Sequence, residues 1–191
     1  MNTVTIIGTG TMANAIGGVL ADGGAVVDYV GHSETSNTVA GDIFVLAVPY
    51  PAVASVINQY GDQLAGKTVI DITNPLDFET FDSLTVPEGS SATAVIAAQL
   101  PNSTLLKAFN TTFAATLGSK KIGSMQTTVL IAGDDVEAKS TLASLIEAGG
   151  VAAMDAGSLR RAHELEALGF LQLTLAVSEK INWTGGFGIV R

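Results

Sequence analysis

Gly8, Gly10 and Ala13 are small residues at a spacing that fits the chemistry of a bound diphosphate. They lie in Gly8-Thr9-Gly10-Thr11-Met12-Ala13, directly after the apolar, β-branched run Thr3-Val4-Thr5-Ile6-Ile7. Each has a separate reason: Gly8 permits a tight turn, Gly10 lets backbone come close to a pyrophosphate, and Ala13 lets helix and strand pack closely. A helix starting here offers free N–H groups and the positive end of its dipole to phosphates. Glycine turns also join strands to helices where nothing binds. What sets this one apart is its context, a strand before it and Met12, Ile16, Val19 and Leu20 at helical spacing after it. Gly8, Thr9, Gly10, Thr11 and Met12 are therefore candidate cofactor-binding residues.

In such folds a ligand lies beyond the carboxyl ends of the strands, so the residues just past each strand carry the next candidates. His32, Ser33 and Glu34 end the second strand, roughly 20 residues past the fingerprint, where a ribose or its 2′-phosphate is gripped. His32 and Ser33 can both donate to a phosphate, which favours NADP; Glu34 and the lack of an arginine leave NAD open. Ala47, Val48 and Pro49 follow the third strand, and Thr73, Asn74 and Pro75 the fourth. With Asn110-Thr111 after the fifth, they lie deep in the crevice, where the amides of Asn74 and Asn110 can orient a carboxamide and Pro75 can shape the wall. Ordinary turn chemistry accounts equally well for each Asn and Pro singly. Lys107, flanked by Leu106 and Ala108, either pairs with a buried carboxylate such as Asp71 or points to solvent.

Other chemistries find little support. The chain has no cysteine, and His32 and His163 stand far apart without a neighbouring carboxylate cluster, so no metal site is expected. Neither a G-x-S-x-G elbow nor a G-x-x-x-x-G-K-[ST] loop is present. No residue is assigned as a catalytic acid or base; His163 fits a surface or dimer contact better. The formal charge of −9 and the pI near 4.4 repel phosphate backbones and anionic surfaces, so neither nucleic acid nor membrane is an expected partner. The chain opens on its first strand with no basic segment or cleavage site before it, which suggests a cytoplasmic protein.

Composition and pattern together predict a single α/β domain over 1–191, with 47% hydrophobic residues and 21 glycines. Strands are expected at 3–7, 25–30, 43–48, 68–72, 104–109, 128–132 and 151–154, with helices between them and a polar loop over 77–91. Asp134 or Asp135 caps the helix that runs to about 148, and 158–181 reads as one long helix. Only about ten residues, 32–41, separate the second and third strands, a reach of at most roughly 33 Å. That leaves no room for the usual second helix and outer strand, so the Rossmann-like, doubly wound, mostly parallel sheet should be truncated on that side. On the last helix Leu159, Ala162, Leu165, Leu168, Leu171 and Leu175 form one apolar stripe, while Gly169, Phe170, Leu173, Ala176 and Val177 lie off it. A helix apolar on two faces needs a second partner, and a homodimer is the expected one.

Six segments make the chain resemble the NADP-dependent oxidoreductases of the coenzyme F-420 (deazaflavin) type, whose fold also forms the cytosolic domain of six-transmembrane ferric reductases. They are Ile7-Gly8-Thr9-Gly10-Thr11-Met12, Val48-Pro49, Thr73-Asn74-Pro75, Leu106-Lys107-Ala108-Phe109-Asn110, Ala132-Gly133-Asp134 and Asp155-Ala156-Gly157-Ser158-Leu159. The resemblance implies hydride transfer between NADP(H) and a flavin-like, deazaflavin or ferric acceptor, with the protein supplying alignment. It departs from the family at His32-Ser33-Glu34, where Ser-Arg-Arg is usual. The glycine segment also resembles pyrroline-5-carboxylate reductases, but only about 35 residues follow Asp155, too few for their long dimerisation domain. A nucleotide sensor without turnover, and an interaction module that binds no cofactor, are the readings from other classes.

Overall fold

The computed structural model describes residues 2–31 and 39–190. Seven strands form one sheet in the order β2-β1-β3-β4-β5-β8-β9. They are β1 (Thr3–Ile7), β2 (Val26–Val30), β3 (Ile43–Leu46), β4 (Thr68–Asp71), β5 (Thr104–Lys107), β8 (Thr128–Gly133) and β9 (Ala152–Gly157). All neighbours pair in parallel except β5 and β8, which run antiparallel. β2 is an edge strand, as the short connection required.

Strict alternation of side chains sends each strand's residues to two separate cores. Val4, Ile6, Ile43, Val45 and Ile70 pack with Ile16, Val19 and Leu20 of α1 (Thr11–Asp22) and with Leu142, Leu145 and Ile146 of α5 (Val136–Ala148). Ile7, Phe44, Leu46 and Val69 pack on the other face with Val53, Tyr60 and Leu64 of α2 (Val53–Leu64) and with Ile96 of α3 (Ala92–Gln99). Both faces are covered, which is why these strands read as continuous apolar runs. Of the two candidate caps for α5, Asp135 is the one used; its carboxylate accepts from Ala138 N at 2.8 Å.

Several expected boundaries shift. β3, β4 and β5 stop one or two residues early: Ala47-Val48 and Ile72 line the crevice instead, while Ala108 and Phe109 stay in the core, Phe109 with φ +65°. β9 instead runs on to Gly157. Its end is held by Lys139, whose ammonium donates to both oxygens of Asp155 at 2.8 Å and to Gly157 O at 3.2 Å. That hydrogen bond lowers the Asp155 carboxyl below its ordinary 3.8. Between β5 and β8 lie the short helix α4 (Ala114–Ser119) and the hairpin of β6 (Lys121–Ile122) with β7 (Met125–Gln126), none of them expected. The helix expected over 158–181 is a 3-10 turn, Leu159–Arg161, followed by α6 (Ala162–Val177). Its buried residues are Ala162, Leu165, Glu166, Gly169, Gln172 and Ala176, so the leucine stripe is not the inward face.

Candidate functional site

Gly8 has φ +128°, and a Cβ there would lie 2.2 Å from Ala47 O, so its missing side chain lets the first loop meet the end of β3. Gly10 is different. Nothing lies within 4 Å of where its Cβ would be, and it caps α1 with no side-chain hydrogen bond and no acidic residue in the first turn. The first N–H groups of α1 are thus left without a side-chain partner, which suits an anion. Asn14 steadies the loop, its amide donating to Thr9 O and Gly10 O at 3.0 Å.

Three cavities follow one another along the carboxyl ends of the strands. The first, about 450 Å³, lies between the glycine loop, Val30-Gly31, Ala47 to Pro49 and the α2 residues Ser55, Val56 and Tyr60. The second, about 260 Å³, shares Ala47, Val48 and Pro49 with it and adds Met12, Tyr50, Thr73, Asn74 and Phe78. The third, about 430 Å³, shares Met12, Ile72, Asn74 and Leu173 with the second and is closed by Asn110, Phe113 and Trp183. Phe113 and Trp183 touch, their ring centroids 4.9 Å apart. Met12 and Asn74 stand at the junction of the last two.

Asn74 and Asn110 bind each other. The Asn74 amide donates to Asn110 O at 3.0 Å; the Asn110 amide donates to Asn74 Oδ1 at 2.9 Å and to Leu165 O at 2.8 Å. The pair therefore locks β4 and β5 to α6. Asn110 Oδ1 and Thr73 Oγ1 are buried without a hydrogen-bond partner, on residues that line the third and the second cavity respectively. Buried polar oxygens of this kind normally find partners, so these two suit a ligand that brings donors. Together with the open space at Gly10 and the uncapped start of α1, they fit a dinucleotide laid from the first cavity into the second.

Lys107 does pair with Asp71, at 2.9 Å, and both are fully buried. The sequence reading missed the third member, Glu166 of α6, which lies 2.9 Å from the same ammonium. Glu166 also accepts from Ala92 N at 2.8 Å and Thr93 N at 3.3 Å, where α3 begins. Its only sequence signal was that of one of two acids, with Glu164, on a largely apolar helix. Tyr50, Phe113, Leu173 and Gly169 were also missed; a Cβ on Gly169 would come within 2.4 Å of Asn74 Oδ1. His163 accepts no catalytic geometry: its ring Nδ1 lies 2.8 Å from Ser90 O. His32 and Ser33 lie outside the described residues. Pro75 is buried behind Asn74, while Gly8, Thr9, Gly10, Thr11, Met12, Ala47, Val48, Pro49, Thr73, Asn74 and Asn110 all line one or another of the three cavities.

This arrangement is that of a Rossmann-like domain of the nucleotide-binding kind. Residues 28–75 match the family described as NADP oxidoreductase, coenzyme F420-dependent. The chain is 29% identical over 171 residues to the F420-dependent NADP reductase of Methanocaldococcus jannaschii, which covers 87% of this chain and 76% of that one. It is 38% identical over 108 residues to the Metalloreductase STEAP3 of Rattus norvegicus, covering 56% of this chain but only 21% of that one. A crystal structure from Arthrobacter sp. FB24, assigned as an F420-dependent NADP-reductase, superposes with a TM-score of 0.86 at 22% identity and covers the whole of both chains. The chain therefore resembles the NADP-dependent oxidoreductases of the coenzyme F420 type, as its six motifs suggested.

Proposed function

We propose that this protein is an NADP(H)-dependent oxidoreductase that moves hydride between a nicotinamide and a flavin-like, deazaflavin or ferric acceptor. The observation that carries this reading is the continuity of the three cavities: a phosphate-suited loop at one end, an aromatic-walled chamber at the other, and Met12 and Asn74 at the junction. A bound nicotinamide supplies the hydride. The chain's own residues do the rest. Gly8, Thr9, Gly10 and Thr11 take the pyrophosphate at the start of α1, and His32 and Ser33 take the 2′-phosphate. Ala47, Val48, Pro49 and Thr73 wall the second cavity, Pro75 is buried next to them in sequence, and Asn110 with Asn74 holds the floor rigid. No acid or base is assigned, so rate comes from alignment and exclusion of water.

The resemblance to an F420-dependent NADP reductase supports NADP over NAD and a deazaflavin-class acceptor. We further read the protein as cytoplasmic and homodimeric. Among the described residues no helix is long and apolar enough to cross a membrane. Titration with NADPH and NADH, followed by oxidation assays with flavin, deazaflavin and ferric acceptors, tests the reading. Tight NADPH binding with turnover of one acceptor is expected; tight binding with no turnover points to a sensor, and no binding of either cofactor refutes a nucleotide site.

A further inference from the structure

Glu166, Asp71 and Lys107 form a fully buried cluster of two acids and one amine. Lys107 donates to Asp71 Oδ2 and to Thr73 O, and its ammonium forms an ion pair with Glu166 Oε1 at 2.9 Å. Asp71 Oδ1 accepts from Thr73 N at 2.8 Å and Oδ2 from Thr93 Oγ1 at 2.7 Å. Glu166 accepts from Ala92 N and Thr93 N. Two carboxylates and one ammonium give the cluster a formal charge of minus one. The N-terminal N–H groups of α3 make that excess tolerable in a buried site.

The cluster sits directly behind the second cavity. Asp71 ends β4 and Thr73, two residues on, both lines that cavity and binds Asp71 and Lys107 through its backbone. Tyr50 lines the same cavity, and its phenol is raised above its ordinary value first by burial and then by the charges of Glu166 and Asp71, with Lys107 opposing them. Resting on the reading that a nicotinamide lies there, we propose that the buried Asp71–Lys107–Glu166 cluster favours the oxidised, cationic ring and so sets the chain to donate hydride. In that step the ring C4–H bond breaks, and the hydrogen with its electron pair passes to a planar acceptor of the flavin class. The acceptor is reduced and the ring, oxidised, gains one positive charge, which the cluster attracts.

The test is fluorescence or calorimetric titration of NADP+ and NADPH, separately, into wild type and Glu166→Gln. The Kd for NADP+ should rise roughly tenfold, the size expected of one unit charge acting across a protein wall, while that for NADPH changes less than about twofold. Equal weakening of both forms, the mark of a merely structural role, would overturn the proposal, as would no change in either. If Glu166→Gln does not fold, Asp71→Asn is measured in the same way. Wild type alone also decides: it should bind NADP+ at least as tightly as NADPH, and a preference for NADPH overturns the inference. A wild type that binds neither form overturns the functional reading and this inference with it. One that binds both without the charge-dependent split overturns this inference alone.

Discussion

Asn110 spends both amide protons, on Asn74 Oδ1 and Leu165 O, and Asn74 spends one on Asn110 O, which leaves one Asn74 N–H beside the unpartnered oxygens Asn110 Oδ1 and Thr73 Oγ1. This alters the role first given to the two asparagines. They stiffen the floor of the crevice, and one Asn74 N–H is left at the junction of the second and third cavities. We propose that selection between NADP and NAD rests on His32 and Ser33, which can donate to a 2′-phosphate where an arginine is otherwise expected. Replacing both with Ala should weaken NADPH by on the order of 2–4 kcal/mol and leave NADH nearly unchanged, because two charge-assisted hydrogen bonds are lost. Parallel titrations with the two cofactors check this; an unaltered NADPH/NADH affinity ratio would assign the selection elsewhere.

At the scale of elements, α6 explains both what the sequence conveyed and what it concealed. The sheet, its truncated edge and the glycine loop were legible because each rests on local rules: β-branched runs, glycine spacing and connection length. Thr73-Asn74 and Asn110 were legible as strand-end residues for the same reason. The inward face of α6 was not, because its leucines suggested a stripe while tertiary demands turned Glu166 to Lys107, Gln172 to Thr111 O, and Gly169 to the asparagine pair. Burying a glutamate and a glutamine in place of leucines makes sense only when their partners, distant in sequence, are known. The α4 helix and the β6–β7 hairpin escaped because two-residue strands and a six-residue helix carry almost no periodicity. Gly169→Ala tests the packing. Its methyl would meet Asn74 Oδ1 at 2.4 Å, so denaturant unfolding should show a loss of about 1–3 kcal/mol and the cofactor should bind more weakly. Unchanged stability and affinity would mean that the Asn74–Asn110 pair is not held by α6.

Over the whole molecule, the three cavities run in series along one edge of the sheet, and apolar side chains remain uncovered beside the last of them. Leu171 and Val177 of α6 and Trp183 and Phe187 beyond it are each about half exposed. A second copy of the chain is the commonest cover for such a surface. Sedimentation equilibrium at micromolar concentration should therefore give twice the 19.5 kDa chain mass, and a monomer would exclude the dimer. The groove beginning at the glycine loop is proposed to hold a dinucleotide. Gly10→Val addresses it most directly, since the added side chain meets no protein atom within 4 Å of its Cβ and so leaves the fold intact, yet fills the space needed by a pyrophosphate. Calorimetric titration of NADPH into wild type and Gly10→Val, each with its circular dichroism spectrum and melting curve, is the measurement. Tight binding to wild type and none to a folded Gly10→Val is the predicted result; equal NADPH affinity in the two folded proteins would contradict it.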